Sequence, residues 1–331
     1  MKIAFFETKK IDRVIFRKNL KKHTLLFSEE PLTPKNAYKY KTVDAVAIFI
    51  SSQVTKPVLN QLPKLKLITT QSTGYDHINL KEAKKRKITV CNVPFYGENT
   101  VAEHTFALIL NLSRHVHKSY IRTLREDYSR EGLTGFDLKG KTLGVIGAGH
   151  IGLHVIRIAK GFGMHVLAFD NHPNTFLAEV LHFNYVSMEE ILAKADIITL
   201  HVPLLPQTTH LIGDKAIKKM KQGVILINTS RGPVIDVNAL YRGLRSGKIG
   251  GAGLDVIEAE NILLKKDMDV QSLESTQTMR QLLEDKQILE MENVIFTPHN
   301  AFNSKEAIDR IKQTTIENIL GFIQRKEIHT I

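Results

Sequence analysis

A glycine-rich turn carries the strongest chemical signal in this sequence. Gly147, Gly149 and Gly152 follow a short apolar run at 143–146 and precede a helix-like segment that extends to about Gly161. In such a turn the first glycine permits the tight bend, and the second lets the backbone approach a pyrophosphate. The third lets the helix pack closely on the strand. The spacing therefore predicts a dinucleotide site at the end of this run.

An acid after the next apolar run strengthens that interpretation. Asp170 follows the run 165–169 and lies 23 positions after Gly147, near the offset at which a carboxylate binds ribose hydroxyls. A carboxylate there repels a 2′-phosphate, so the pattern predicts NAD rather than NADP. The backbone N–H groups at the start of the helix, including those of His150 and Ile151, would face the phosphates.

Three further polar residues each follow a candidate strand in the second half of the chain: Arg231, Glu260 and His299. Because ligands bind beyond the carboxyl ends of parallel strands, we expect all three on the cofactor side of the sheet. A guanidinium can hold a carboxylate with two hydrogen bonds, and a histidine can donate a proton to a carbonyl oxygen. A carboxylate bonded to that histidine would orient it and favour its protonated form. Beside a nicotinamide, this set predicts hydride transfer to a 2-keto acid.

Each of these residues also has a plain structural interpretation. Arg231 could be a solvated loop residue, and Glu260 could cap a helix at 262–264. His299 is one of 14 histidines and could be structural. Their convergence at three strand ends favours the catalytic interpretation.

The elements that must position these residues follow from the hydrophobic pattern. Short apolar runs separated by helix-length segments indicate parallel strands joined by crossover helices. The candidate strands of the first hundred residues are 2–6, 24–27, 45–50, 65–70 and 88–93. Those of the second unit are 143–146, 165–169, 196–201, 224–228, 253–256 and 294–297. The predicted fold class is α/β, with two Rossmann-like doubly wound parallel-sheet domains and an active-site cleft between them.

Helix signals divide the chain further. Residues 100–124 are predicted to form one long helix, with Thr100 and Glu103 spaced as a capping box. Ser187 with Glu190 forms a second capping box, Asp236 is a predicted N-cap, and a final helix is expected over 304–324. That last helix is predicted to pack on the first domain. The resulting domains are 1–100 plus 300–331, which would bind substrate, and 101–299, which would bind NAD.

Composition excludes several classes of protein. Of the 331 residues 43% are hydrophobic and 24% charged, as expected for a globular chain large enough for two cores. Cys91 is the only cysteine, so no internal disulfide or thiolate metal cluster can form, and no metal site is predicted. No apolar stretch approaches the roughly 18–20 residues that span a bilayer. We expect a cytoplasmic protein with no membrane partner.

The positive charge is concentrated in the first hundred residues. That segment holds 19 Lys/Arg and 8 Asp/Glu, or +11 of the net charge of +12, and its densest run is 84–87. The favoured interpretation of this run is a solvated helix end. A positive field that attracts small anionic substrates is the next possibility. Nucleic-acid binding is not expected, because no known motif appears and no aromatic residues are interleaved with the basic run.

Several motifs, in order along the chain, resemble those of the D-specific 2-hydroxyacid dehydrogenase family. The matching segments are 72–78 (STGYDHI), 92–97 (NVPFYG), 100–104 (TVAEH), the glycine turn, 201–203 (HVP), 228–232 (NTSRG), 253–256 (GLDV) and 297–299 (TPH). The resemblance implies that Arg231 binds the substrate carboxylate and carbonyl, that His299 is the acid/base, and that Glu260 is its partner. It also implies substrate contacts for Thr73, Gly74, Tyr96 and Phe302, and cofactor contacts for His201, Pro203, Thr229 and Asp255.

Within the family the chain is most similar to the D-lactate dehydrogenase group. Tyr96, Phe302 and the 39-residue separation of Glu260 and His299 fit that group, whereas Asn300 and Asn303 depart from it. The resemblance therefore implies reduction of pyruvate to D-lactate by NADH, in a homodimer. Two alternatives stay open: a dehydrogenase for a bulkier 2-keto acid, and a non-catalytic NAD-sensing scaffold of the corepressor type.

Overall fold

The computed structural model describes residues 1–258, 260, 276–326 and 328–331. The chain folds into two compact units. Unit one comprises Met1–Tyr96 with Ser304–Ile331, and unit two comprises Gly97–Asn303. Helices and strands are numbered below in chain order.

Unit one is a five-stranded parallel sheet with helices on both faces. Its strands are β1 (Lys2–Phe5), β2 (Thr24–Phe27), β3 (Ala45–Ile48), β4 (Leu67–Thr70) and β5 (Thr89–Cys91), arranged in the order β2-β1-β3-β4-β5. Its helices are α1 (Arg13–Asn19), α2 (Lys56–Asn60), α3 (Leu80–Lys85) and α12 (Lys305–Gln324). Strands β3 and β4 are buried along their whole length, as expected for parallel strands that are covered on both faces.

Unit two is a seven-stranded parallel sheet in the order β12-β11-β10-β9-β6-β7-β8. Its strands are β6 (Thr142–Ile146), β7 (His165–Phe169), β8 (Asn184–Tyr185), β9 (Ile197–Leu200), β10 (Val224–Asn228), β11 (Ile249–Leu254) and β12 (Val294–Phe296). The chain reverses its direction of travel across the sheet between β6 and β9, which is where ligands bind in folds of this type. The two parallel sheets confirm the predicted α/β class with two Rossmann-like domains.

The helices of unit two cover both faces of this sheet. They are α4 (Glu98–Arg114), α5 (Val116–Thr123), α6 (His150–Gly161), α7 (Thr175–Leu181), α8 (Met188–Lys194), α9 (Asp214–Lys219), α10 (Val237–Arg245) and α11 (Thr276–Leu289). Among the described helices, none is long and apolar enough to cross a bilayer.

The prediction of one helix over 100–124 is wrong in two respects. The helix begins at Glu98, and its N-cap is Gly97 rather than Thr100. It also breaks at His115, which adopts a left-handed conformation (φ 51°) between α4 and α5. A left-handed residue interrupts the helical hydrogen bonds, and apolar spacing alone does not reveal this break.

Two predicted N-caps are confirmed, because Ser187 accepts a hydrogen bond from the Glu190 N–H and Asp236 accepts one from the Ala239 N–H. The Glu190 side chain pairs with Lys194 at 2.7 Å, so only the Ser187 half of the predicted capping box forms. The final helix follows Ser304, which accepts from the Ala307 N–H. The basic run 84–87 stands at the end of α3, where Arg86 pairs with Glu82 at 2.7 Å. This placement supports the interpretation of the run as a helix end.

Candidate active site

The glycine turn of unit two has the geometry of a phosphate cradle. Gly147 adopts φ +94°, a conformation that disfavours side chains, and a Cβ on Gly152 would overlap the Gly147 carbonyl oxygen. A Cβ on Gly149 would meet nothing within 4 Å, so the space beside the first turn of α6 is open. His150 is exposed at the start of that helix, followed by the half-buried Ile151. These features fit a dinucleotide whose pyrophosphate lies against the helix N-terminus.

Asp170 lies next to this turn. One carboxylate oxygen accepts a 2.8 Å hydrogen bond from the Ala148 N–H, and the other accepts one of 2.8 Å from the His172 N–H. Both contacts fix the carboxylate at the end of β7, beside the glycine turn. This is the position from which an acid can reach a ribose.

The segment 201–203 packs on the opposite side of the same turn. A Cβ on Gly147 would approach the His201 backbone to 2.8 Å, which accounts for a glycine there. Burial lowers the pKa of His201 to about 3, so the imidazole is neutral near pH 7. Its Nε2 contacts the Thr199 hydroxyl at 2.9 Å, and its buried Nδ1 has no partner within the described residues. Pro203 is exposed at the end of this segment.

The candidate catalytic residues follow three adjacent strands. Asn228, Leu254 and Phe296 are paired in register across β10, β11 and β12. The segments that carry Arg231, Glu260 and His299 therefore leave the sheet side by side, with the strands about 4.8 Å apart.

His299 and Glu260 are in direct contact. The distance from Nδ1 of His299 to Oε1 of Glu260 is 3.2 Å, and both side chains are largely buried. A carboxylate can only accept a hydrogen bond, so Nδ1 carries the hydrogen and Nε2 is the ring nitrogen left for chemistry. Oε2 of Glu260 is buried and has no partner in the described part of the chain. The alternative helix at 262–264 lies outside the described residues.

Arg231 is half-buried in the loop after β10. Buried Asn228 shapes this loop, because its side chain donates to the Arg231 carbonyl and accepts from both the N–H and the hydroxyl of Ser230. A Cβ on the next residue, Gly232, would overlap the Ile257 carbonyl. The loop of Arg231 is therefore packed against the segment that leads to Glu260.

Asp255 organises the loop that carries His299. Its carboxylate accepts hydrogen bonds from the Thr297 hydroxyl (2.5 Å), the Asn300 N–H (2.8 Å) and the Ala301 N–H (2.9 Å). Burial alone would raise the pKa of Asp255, but these bonds and one from His104 outweigh it and hold the pKa below its ordinary value. His299 itself adopts φ 51° and donates its N–H to the Asp255 carbonyl.

The family resemblance assigns Asp255 to the cofactor site and does not predict this internal network. Asn228 and Thr297 had no assigned role in the sequence either. Their motifs, NTSRG and TPH, were the only available signals.

The predicted substrate residues of unit one lie on two adjacent loops. The Thr73 hydroxyl donates to the Val93 carbonyl at 2.9 Å, and the Asn92 side chain donates to the Thr73 carbonyl at 2.9 Å. The Ser72 hydroxyl donates to the Gly74 carbonyl at 2.7 Å. These bonds pin the turn that holds Thr73 and Gly74 against the segment after β5. Tyr96 ends that segment, and its carbonyl accepts from Arg310 at 2.6 Å.

The remaining predicted residues belong to unit two. Phe302 is half-buried in the segment after His299, and Thr229 is buried with its hydroxyl 3.0 Å from that of Thr105. No group of three or more His, Cys, Asp or Glu residues suited to a metal occurs among the described residues.

Comparison with known proteins places the chain in a family. Residues 106–301 match the family model "D-isomer specific 2-hydroxyacid dehydrogenase, NAD binding domain". The chain is 38% identical over 323 residues to D-lactate dehydrogenase of Escherichia coli K12, covering 96% of each.

Two solved structures extend the similarity to the whole fold. D-lactate dehydrogenase of Aquifex aeolicus, complexed with NAD and lactic acid, has a TM-score of 0.89 at 35% identity, covering 98% of this chain and 96% of that chain. The pyruvate reductase of Chlamydomonas reinhardtii has a TM-score of 0.87 at 36% identity, covering 99% and 98%.

Together, the fold, the glycine turn and the family match define the protein as an NAD-dependent oxidoreductase with two Rossmann-like domains. The chain belongs to the D-isomer specific 2-hydroxyacid dehydrogenase family and is similar to its D-lactate dehydrogenases.

Proposed function

We propose that this enzyme reduces pyruvate to D-lactate, with His299 as the proton donor. The observation that carries the proposal is the His299–Glu260 pair, which lies at the carboxyl end of the sheet next to the loop of Arg231. The named relatives that act on lactate or pyruvate support the choice of substrate.

Each residue has a distinct role in the proposed reaction. Arg231 holds the keto-acid carboxylate, assisted by the backbone N–H groups of Thr73 and Gly74. Neither of these two N–H groups has a partner among the described residues, so both are available to an anion. NADH supplies the hydride when bound. Nε2 of His299 gives its proton to the carbonyl oxygen, and the Glu260 carboxylate stabilises the imidazolium beforehand.

The pocket and cofactor contacts complete the assignment. We assign Tyr96 and Phe302 to the substrate pocket, and Asp170 to the adenosine ribose. His150, Ile151, His201, Pro203, Thr229 and Asp255 are assigned to the remainder of the NAD site, together with the three glycines of the turn.

The substrate can be tested directly. NADH oxidation by the purified protein would be compared for pyruvate, 2-ketobutyrate, 2-ketoisocaproate, phenylpyruvate, hydroxypyruvate and glyoxylate. We expect the highest kcat/KM with pyruvate. A maximum at a bulky keto acid would overturn the assignment of the pocket, and NADH binding without turnover on any of them would favour a scaffold.

Removal of the Asp170 charge should relax the choice of cofactor. In Asp170→Ala the repulsion of a 2′-phosphate is lost, so the ratio of kcat/KM for NADH over NADPH should fall by about two orders of magnitude. Asp170→Asn serves as the companion variant, because its amide oxygen can still accept from the Ala148 N–H. An unchanged ratio in both variants would place Asp170 outside the ribose site.

Glu260→Gln should slow keto-acid reduction. An amide can present either its oxygen or its NH2 group to Nδ1, so it no longer fixes the hydrogen of His299 on that nitrogen, and kcat for pyruvate should fall by about 100-fold. Glu258→Gln is the matched control, because Glu258 is two positions away and pairs with His210 at 3.0 Å. Equal kcat values for Glu260→Gln and the control would contradict the assignment.

We also propose a cytoplasmic homodimer. Exposed apolar side chains cluster on α5 and just beyond it, with Val116 52%, Tyr120 63%, Leu124 66% and Tyr128 77% exposed. Such a patch is typical of a protein interface. A monomer in sedimentation equilibrium would contradict the dimer.

A further inference from the structure

Helix α4 packs on β11, the strand between the two that lead to the loops of Arg231 and His299. A Cβ on Gly253 of β11 would be 3.0 Å from the Leu108 side chain, and one on Gly251 would be 3.3 Å from that of Leu112. The glycines of β11 therefore let α4 pack directly on the strand between β10 and β12. This placement brings the first turns of α4 to the carboxyl end of the sheet.

His104 on α4 contacts the loop that carries His299. Its Nε2 is 2.9 Å from the Thr297 hydroxyl and 3.4 Å from Oδ1 of Asp255. The single hydroxyl hydrogen of Thr297 is donated to Asp255, so the hydrogen between His104 and Thr297 must come from His104. His104 is therefore the donor in its contact with Thr297, which stands two residues before His299. The same Nε2 also lies beside the Asp255 carboxylate.

The next residue, Thr105, contacts the loop that carries Arg231. Its hydroxyl donates to the Val101 carbonyl at 2.8 Å, within α4. The hydroxyl oxygens of Thr105 and Thr229 are 3.0 Å apart. Because the Thr105 hydrogen is already donated to Val101, Thr229 must be the donor to Thr105. Thr229 stands two residues before Arg231, and both threonine side chains are buried.

We propose that His104 and Thr105 are positioning residues that together set the placement of His299 relative to Arg231. Consecutive side chains on one helix hold the two loops, so α4 fixes their separation. Proton transfer to a carbonyl requires that the substrate carboxylate and the acid be spaced correctly, and a shift of about 1 Å can cost up to 100-fold in rate. The inference rests on the proposed roles of His299 and Arg231.

A set of isosteric variants tests the His104 contact. His104→Leu and Thr297→Val each remove it, and each should lower kcat by about 10- to 100-fold while the Kd for NADH stays within about twofold. His104→Gln keeps an N–H donor and should recover most of the loss. Because both substitutions break the His104–Thr297 contact, the loss in the double variant should be smaller than the product of the two single losses, although Thr297→Val also removes the bond to Asp255.

Thr105 is tested in the same way against a matched control. Thr105→Val should lower kcat by about tenfold, whereas Thr105→Ser should be close to wild type. Thr315→Val is the control, because Thr315 is a fully buried threonine on α12 whose hydroxyl likewise donates to the carbonyl four residues earlier, at 2.7 Å. It removes the same intrahelical bond without touching a catalytic loop.

The outcomes separate this inference from the proposed function. If the wild type turns over and all four removal and rescue variants of His104 and Thr105 match it in kcat, the positioning role is wrong. If His104→Gln is as slow as His104→Leu, the effect is one of packing, and the role is also wrong. Absence of turnover by the wild type would overturn the proposed function, and this inference with it.

Discussion

His299→Asn is expected to lower kcat for keto-acid reduction by about 10²- to 10⁴-fold, because it removes the proposed proton donor from the transition state. Asparagine tolerates the left-handed conformation that His299 adopts at φ 51°, so the loop should keep its shape. The Kd for NADH should therefore be nearly unchanged. Stopped-flow measurement of NADH oxidation, together with fluorescence titration of NADH, gives both quantities.

The control for this experiment is His165→Asn, at an exposed histidine at the start of β7. Its kcat should equal that of the wild type. A kcat for His299→Asn within about threefold of the wild type would exclude His299 as the acid, since general acid catalysis contributes far more than this.

Substitution of Arg231 should have the second largest effect, and the loss should appear mainly in substrate affinity. Arg231→Ala leaves the substrate carboxylate without its proposed cationic partner, so kcat/KM for pyruvate should fall by about 10²- to 10³-fold. Arg231→Lys keeps the charge but cannot form two parallel hydrogen bonds, so its loss should be intermediate. Steady-state kinetics at saturating NADH measures both variants.

A neutral substrate analogue sharpens this test. The wild type should prefer pyruvate strongly over pyruvamide, and Arg231→Ala should abolish most of that preference. Arg242→Ala, at an exposed arginine that pairs with Asp214, is the control and should retain the preference. If Arg231→Ala also retained it, the carboxylate would have to be held elsewhere.

Most of the strands and helices could be predicted because their signals are local. Buried parallel strands are short apolar runs, and caps such as Ser187 and Asp236 act within three residues. The glycine turn was predictable because its conformation and its close contacts both require glycine, as at Gly147 and Gly152.

Other features depend on contacts that are distant in sequence. Strand β11 begins at Ile249, four residues before the predicted strand 253–256, because its glycines weaken the strand pattern. The same glycines allow the close packing of α4. The two-residue strand β8 is too short to show a pattern. The contact between His104 and Thr297 joins residues 193 positions apart, so no spacing along the chain could indicate it.

The most direct test of the proposed reaction is to identify its product. The protein would be incubated with pyruvate and NADH carrying deuterium at both C4 positions, and the lactate formed would be analysed by chiral chromatography and mass spectrometry. The account predicts D-lactate with one deuterium at C2. L-lactate, lactate without deuterium at C2, or no lactate despite NADH binding would contradict it.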